Sequence, residues 1–466
     1  MTARRLVAGV DSSTQSCKVV IRDADTGELV RHGRASHPDG TQVDPHEWEV
    51  ALRAALDEAG GINDVAAISI AGQQHGMVLL DEDRAVIRPA LLWNDVRSAG
   101  SAQDLVDELS AAAWAEAVGC VPVASFTVSK LRWTAEHEPE NAAKANAVVL
   151  PHDWLTMRLR AAGAPLTTDR GDASGTCYWS PTTGDYRRDL FTHAFGRELE
   201  LPAVAGPRDQ VGILDQSWAP HAAHDIAIAP GTGDNMGAAL GLNAQPGTVV
   251  VSLGTSGTAF AVSQHPTADP SGGVAGFADA QGRFLPLVCT LNAALVLSTM
   301  ATILGVDHAG LDELALSAEP GSGGVALLPY LAGERTPNRP FATGHMSGLT
   351  VSNATRENMA RAAVEGMLCG MADALDELTK LGVPLERVVL IGGAAQSVAV
   401  QQIAPTIFGR PVFIAEPGEY VADGAARQAA QVTGAGDSWS EVAGSWSHGS
   451  VVSHVRDVYA ELRDST

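Results

Sequence analysis

The sequence predicts an α/β protein of two similar halves, each built on a mixed sheet. Three observations lead there. The chain has 466 residues, more than one hydrophobic core ordinarily serves, so two domains are expected. An apolar hairpin with a hydroxyl-rich bend, LVAGVDSSTQSCKVVI at 6–21, returns in related form as TVVVSLGTSGTAFAV at 248–262. With Asp11 set against Gly254, the second hairpin opens the second half of the chain. After each hairpin, helical and strand-like segments alternate.

Taken in order, 43–60 carries Trp48, Leu52 and Leu56 at helical spacing and stops at Gly60. DVAAISIAG at 64–72 reads as a strand. The linker GLNAQPG before the second hairpin places the domain boundary, giving domains 1–245 and 246–466. In the second half, 353–378 is a long helix from an Asn/Thr cap, and 386–395 is a buried strand running into glycines. After about residue 434 the tail reads as a loop leading to a last helix at VVSHVRDVYAEL.

Composition is globular, with 45% hydrophobic and 18% charged residues. The net charge of -23 excludes a broad nucleic-acid surface, which needs an excess of Lys and Arg. A phosphorylated ligand would then depend on local backbone amides and a metal. Five scattered cysteines without CxxC argue against a disulfide framework or zinc site and for a reducing cytosol. The start lacks the apolar run of a signal peptide, and no window has the roughly 18 apolar residues of a membrane helix. A soluble, cytoplasmic protein is expected.

The two hairpin bends carry the first chemistry. Successive small residues let N–H groups converge on an anion, and Asp11 can hold Mg²⁺ through water. Plain polar turns are the alternative for either bend alone. No GxxxxGK[ST] occurs, which excludes a Walker-type kinase. In GTGDNMGAALG (231–241), Asp234 sits in a glycine loop before a small-residue helix. It suits a general base and equally suits a helix N-cap; Met236 breaks a GxGxxG pattern. Gln73, Gln74 and His75 lie past a strand end between Gly72 and Gly76, where a polyol would be read, or where a surface histidine would also be at home. Gly392 and Gly393 follow a strand and suit a nucleotide's close approach, as they suit simple packing. Asp95, Arg97, Asp153 and Asp169 fall in loops, as salt bridges or caps or as site residues.

Ten stretches in order resemble the FGGY carbohydrate kinases across nearly the whole chain: GVDSSTQSCK, AGQQHGMVLLD, LWNDVR, SFTVSKLRW, VLPHDWL, TTDRGDASGT, GTGDNMGAALG, VSLGTSGT, GERTP and LIGGAAQS. The resemblance implies two domains of the actin-like/ribonuclease-H-like fold with sugar and ATP in the cleft between them. It implies Asp234 as catalytic base and Gln74 and His75 on the ketose, with Asn235 beside the base and Trp93 and Asp95 on the substrate side. Asp11 falls on the acid implicated in magnesium and activity. Ser12, Ser13 and Thr14 fall on the first phosphate motif, Gly254, Thr255 and Ser256 on the second, and Gly392, Gly393 and Gln396 on the adenosine motif.

The activity implied is ATP-dependent phosphorylation of D-xylulose to its 5-phosphate, with Mg-ATP held between the two hairpins. Kinases for ribulose, gluconate or glycerol are the nearest rivals. An actin-like ATPase is the rival from another class, and a sugar-binding regulator would need a DNA-binding module that is not visible. One departure stands out: Gln74 occupies the place where a Met-His pair is usual among the xylulose-phosphorylating members. A homodimer would suit the resemblance.

Overall fold

The computed structural model describes residues 4–466. The chain forms two compact units, neither continuous in sequence. One comprises the described residues up to Asn243 with Gln264–Leu285 and Glu419–Glu441; the other comprises Ala244–Ser263, Pro286–Gly418 and Val442–Thr466.

In the first unit the strand Leu6–Ser12 lies at the centre of a mixed sheet. It runs antiparallel to Ser16–Asp23 and parallel to Val65–Gly72. Every residue from Leu6 to Ser12 is buried, which explains the unbroken apolar run: a central strand is covered on both faces. On one face Leu6, Ala8 and Val10 join Trp48, Leu52, Ile68 and Ile70 in the core. The helix Pro45–Glu58 supplies the tryptophan and leucine; Asp44 caps it and accepts from the His46 N–H. On the other face Val7 and Ala67 meet Ala422, Ala426, Ala429 and Ala430 of the helix Tyr420–Val432. That helix approaches so closely that a Cβ at Gly9 would stand 2.0 Å from the Ala422 carbonyl oxygen.

The second unit repeats the plan. Thr248–Leu253 runs antiparallel to Gly257–Ala261 and parallel to Arg387–Ile391, which is parallel in turn to Val412–Ala415. The helix Arg356–Lys380, capped by Thr355, buries Val364, Met367, Leu368 and Met371.

Two local readings change. Asp11 and Ser12 pair with Lys18 and Cys17, so they end a strand and only Ser13, Thr14 and Gln15 form the bend. The tail is not all loop: Gly444–Ser447 is a strand antiparallel to Val412–Ala415, with Trp446 edge-on to Phe413 at 5.4 Å. Its Gly and Ser residues hide the strand, because its order comes from pairing rather than from an apolar pattern. Among the described residues no single helix is long and apolar enough to cross a membrane. All five cysteines are buried and none is in a disulfide.

Candidate functional site

In the first unit the parallel strands Leu6–Ser12 and Val65–Gly72 end together, Ser12 beside Gly72. Ligands of such sheets gather beyond the carboxyl ends of strands. Asp11 is 2% exposed. Its Oδ1 accepts from Ser13 Oγ, and Lys18 Nζ stands 3.7 Å from Oδ2. Burial pushes the carboxyl up to about 6, with Lys18 opposing. Ser12 Oγ is buried without a partner. Thr14 Oγ1 accepts from Trp93 Nε1 at 2.8 Å, so Trp93 braces the bend.

The turn after Val65–Gly72 is tied to the hairpin by the Gln73 N–H, which donates to the Ser12 carbonyl at 3.1 Å. Neither amide atom of the buried Gln73 side chain has a partner. His75 adopts a left-handed conformation, φ 68°. Its Nδ1 meets the Gly175 carbonyl at 2.7 Å, and Phe126 stands edge-on to its ring at 4.8 Å. Only glycine fits at 175, where a Cβ would lie 2.7 Å from that nitrogen. A carbonyl at Nδ1 sets the neutral ring's proton there and makes Nε2 the acceptor.

Asp234 opens the helix Asp234–Gly241, and Gly233 is its cap; the N-cap alternative is therefore not the arrangement found. Asp234 Oδ1 accepts from both the backbone N–H and Nδ2 of Asn235 at 2.8 Å. Asn235 Nδ2 also reaches Gln74 Oε1 at 3.2 Å, while Gln74 Nε2 is buried without a partner. Gln74, Asn235 and Asp234 thus form one network. Burial first, then the charge of Asp11, pushes the Asp234 carboxyl up to about 7.

Residues that the sequence reading passed over hold this loop. Gln428 accepts from the Gly231 N–H and donates to the Gly231 carbonyl, both at 3.0 Å. Ser69 Oγ donates to Gln428 Oε1 at 2.6 Å. Gly424 lets the two helices touch: a Cβ there would stand 1.8 Å from the Gly237 carbonyl oxygen. The one trace in sequence is small-residue spacing in GAALG and ADGAAR.

Asp95 is already engaged. It accepts from Thr41 Oγ1 at 2.8 Å, from the Arg97 N–H at 3.0 Å, and from Arg97 Nε and Nη2 at 2.8 and 2.9 Å. Burial would raise its carboxyl, but Arg97 and Thr41 outweigh burial and hold it low. Asp153 and Asp169 both cap helices, one of the roles the sequence allowed: Asp153 Oδ2 accepts from the Leu150 N–H at 2.8 Å, and Asp169 caps the helix Arg170–Ser174. They meet His152 and Asp172 in a buried cluster, with His152 Nε2 at 3.3 Å from Asp153, 3.5 Å from Asp169 and 3.2 Å from Asp172.

In the second unit Gly254 and Thr255 are exposed and Ser256 is half-buried. The Gly254 carbonyl accepts from the Ala294 N–H at 2.9 Å, anchoring the bend to the helix Ala294–Leu304. Gly392 has φ 93°, and a Cβ on it would lie 2.7 Å from the Leu253 backbone; packing alone demands this glycine. Gly393 borders open space, and a short 3₁₀ turn, Gly393–Gln396, precedes the helix Val398–Phe408.

No group of three His, Cys, Asp or Glu among the described residues is arranged for a metal. Magnesium on a nucleotide needs less: one or two carboxylates, waters and the phosphates themselves. The buried Asp11 carboxylate and the unpartnered Ser12 Oγ fit that sparse donor set.

The N-terminal domain model of the FGGY family of carbohydrate kinases matches residues 6–241, and the C-terminal domain model matches 249–432. Xylulose kinase of Streptomyces coelicolor is 46% identical over 95% of this chain and 90% of its own length. The crystal structure of xylulose kinase from Bifidobacterium adolescentis is similar with a TM-score of 0.91 and 45% identity, covering 99% of both chains. Gluconate kinase from Lactobacillus acidophilus has a TM-score of 0.90 at 22% identity over 99% and 98%; that likeness shows the fold alone.

Proposed function

Because this chain belongs to the FGGY family of carbohydrate kinases, we propose that it transfers the γ-phosphoryl group of ATP to O5 of D-xylulose. The observation that carries the reading is the Gln74–Asn235–Asp234 network at the strand ends. Relatives of high identity bearing the name xylulose kinase support the choice of sugar.

A sugar hydroxyl has a pKa far above neutrality, so its proton leaves late, as the bond to phosphorus forms. Asp234 takes that proton. Asn235 occupies Oδ1 and holds the carboxylate so that Oδ2 is the accepting atom. A carboxyl near 7 is a stronger base than an ordinary aspartate, yet is still substantially ionised at neutral pH. His75 offers Nε2 as acceptor to one sugar hydroxyl, and Gln74 Nε2 offers donors to the carbonyl or a neighbouring hydroxyl. Gln74 is therefore where a different ketose would be distinguished, since one such hydrogen bond separates close polyols.

The transition state is loose and spreads charge over the phosphoryl oxygens, so positioning and electrostatics dominate. Backbone amides of Ser12–Thr14 and of Gly254–Ser256 serve the β- and γ-phosphates, while Gly392, Gly393 and Gln396 serve the nucleoside. Asp11, with Ser12 beside it, would hold Mg²⁺ through water, and the ion would supply positive charge to the phosphates. A cytoplasmic place of action goes with an ATP donor and with five buried cysteines, none of them in a disulfide.

The test is kcat/KM for D-xylulose, D-ribulose, gluconate and glycerol, followed by ADP release. D-xylulose should lead the panel. ATP turnover that ignores every sugar and survives Asp234→Ala would instead make the chain an ATPase of the actin-like kind.

A further inference from the structure

We propose that the buried cluster of His152, Asp153, Asp169 and Asp172 is the positioning unit for the sugar end of the site, setting both the turn that carries His75 and the loop that carries Asp234. The inference rests on the reading of Asp234 as base.

The four side chains are nearly inaccessible, none more than 5% exposed. They come from the helix Pro151–Leu159, the strand Thr167–Asp169 and the short helix Arg170–Ser174. Buried ion clusters are poor sources of stability, because desolvation consumes the Coulomb gain. Stability alone therefore does not account for one placed here.

Its outward contacts run to the site by four routes. Asp169 Oδ2 accepts from Thr232 Oγ1 at 2.8 Å, two residues before Asp234. Gly231, at φ 83°, packs on the imidazole, where a Cβ would stand 2.6 Å from His152 Nδ1. Gly72, just before Gln73, Gln74 and His75, lies against His152; a Cβ there would be 3.0 Å from the histidine Cβ. Asp169 also caps the helix Arg170–Ser174, accepting from the N–H groups of Gly171 and Asp172 at 2.8 and 2.9 Å. That helix ends at Gly175, whose carbonyl meets His75 Nδ1 at 2.7 Å.

Among the described residues the imidazole is the one cationic group set among the three acids; Arg160 acts on Asp153 from a distance, and Asp234 and Tyr178 add to the negative and polar surroundings. Burial would push His152 down, but Asp153, Asp169 and Asp172 overcome it and raise it to about 9. At neutral pH it is an imidazolium; burial pushes the Asp153 carboxyl up to about 6 and the Asp172 carboxyl well above its usual range, and the imidazolium opposes both shifts and binds the acidic groups together. Without that charge they would repel, and the motion would pass to Thr232 and Gly175.

Three variants test this. Thr232→Val keeps the shape and the cluster but removes the link; kcat should fall about 10-fold while KM for ATP stays within about a factor of two. His152→Gln removes the charge; kcat/KM for the sugar should fall about 100-fold, the loss shared between kcat and KM. His152→Lys, which restores the charge, should recover part of that loss. Melting curves are taken in parallel, with rates expressed per folded protein. Wild-type kcat and KM in Thr232→Val and His152→Gln, whatever their melting temperatures, would overturn the proposal. If His152→Gln does not fold, Thr232→Val alone decides. Asp234→Asn, run alongside, separates the two claims: its retained turnover would overturn the base and not merely the cluster.

Discussion

Asp234→Asn should abolish phosphoryl transfer and yet stabilise the fold above neutral pH. Burial and Asp11 raise the Asp234 carboxyl from 3.8 to about 7. A carboxyl raised in the native state binds its proton more tightly folded than unfolded. The wild type therefore loses stability as pH rises from about 4 to about 7, and the loss is complete above that range. At about 1.4 kcal/mol per unit, roughly three units set a ceiling of about 4 kcal/mol. Asp234 is only partly buried, and solvent relaxation brings the expected figure to about 1–3 kcal/mol. Asparagine keeps Oδ1, the atom that accepts from Asn235, so no hydrogen bond is lost to offset the gain. Urea unfolding at pH 4.5, 6 and 8, beside a coupled ADP assay, reads both effects. A variant no more stable than wild type at pH 8, or a gap that fails to narrow on acidification, would refute the reasoning.

The same carboxyl predicts the rate profile: as a base it works ionised, so kcat/KM for the sugar should fall below about pH 7, reaching about 100-fold down at pH 5. A flat profile over that range would remove Asp234 as base. His75→Ala should raise KM for the sugar far more than KM for ATP, since Nδ1 is spent on Gly175 and the proposed contact to the sugar is through Nε2; equal changes would take it out of the sugar site. Gly424→Ala puts a methyl 1.8 Å from the Gly237 carbonyl oxygen. It should cost about 1–3 kcal/mol by overpacking and lower kcat by moving the helix that begins at Asp234; wild-type melting would contradict the packing.

The sequence by itself determined what is local or periodic. The buried run at Leu6–Ser12, the helix bearing Trp48 and Leu52, the echo of the first hairpin at 248–262 and the ordered FGGY stretches are all written in neighbouring residues. Asp234 and the Gln74-His75 pair stand out for the same reason: polar groups pinned between glycines beside apolar strands. Tertiary structure alone decided what depends on residues far apart in the chain. Gln428 clamps Gly231 from 197 positions away, and Trp93 braces Thr14 from 79. Asp153 and Asp169 look like loop acids until His152 and Asp172 arrive beside them. Gly444–Ser447 becomes a strand only when Val412–Ala415 offers it a ladder. A pattern reports which face of an element is apolar. Which polar atoms are stripped of water, and which partner meets them there, follows from the packing of distant segments, and that burial is what raises Asp234 to the working range of a base.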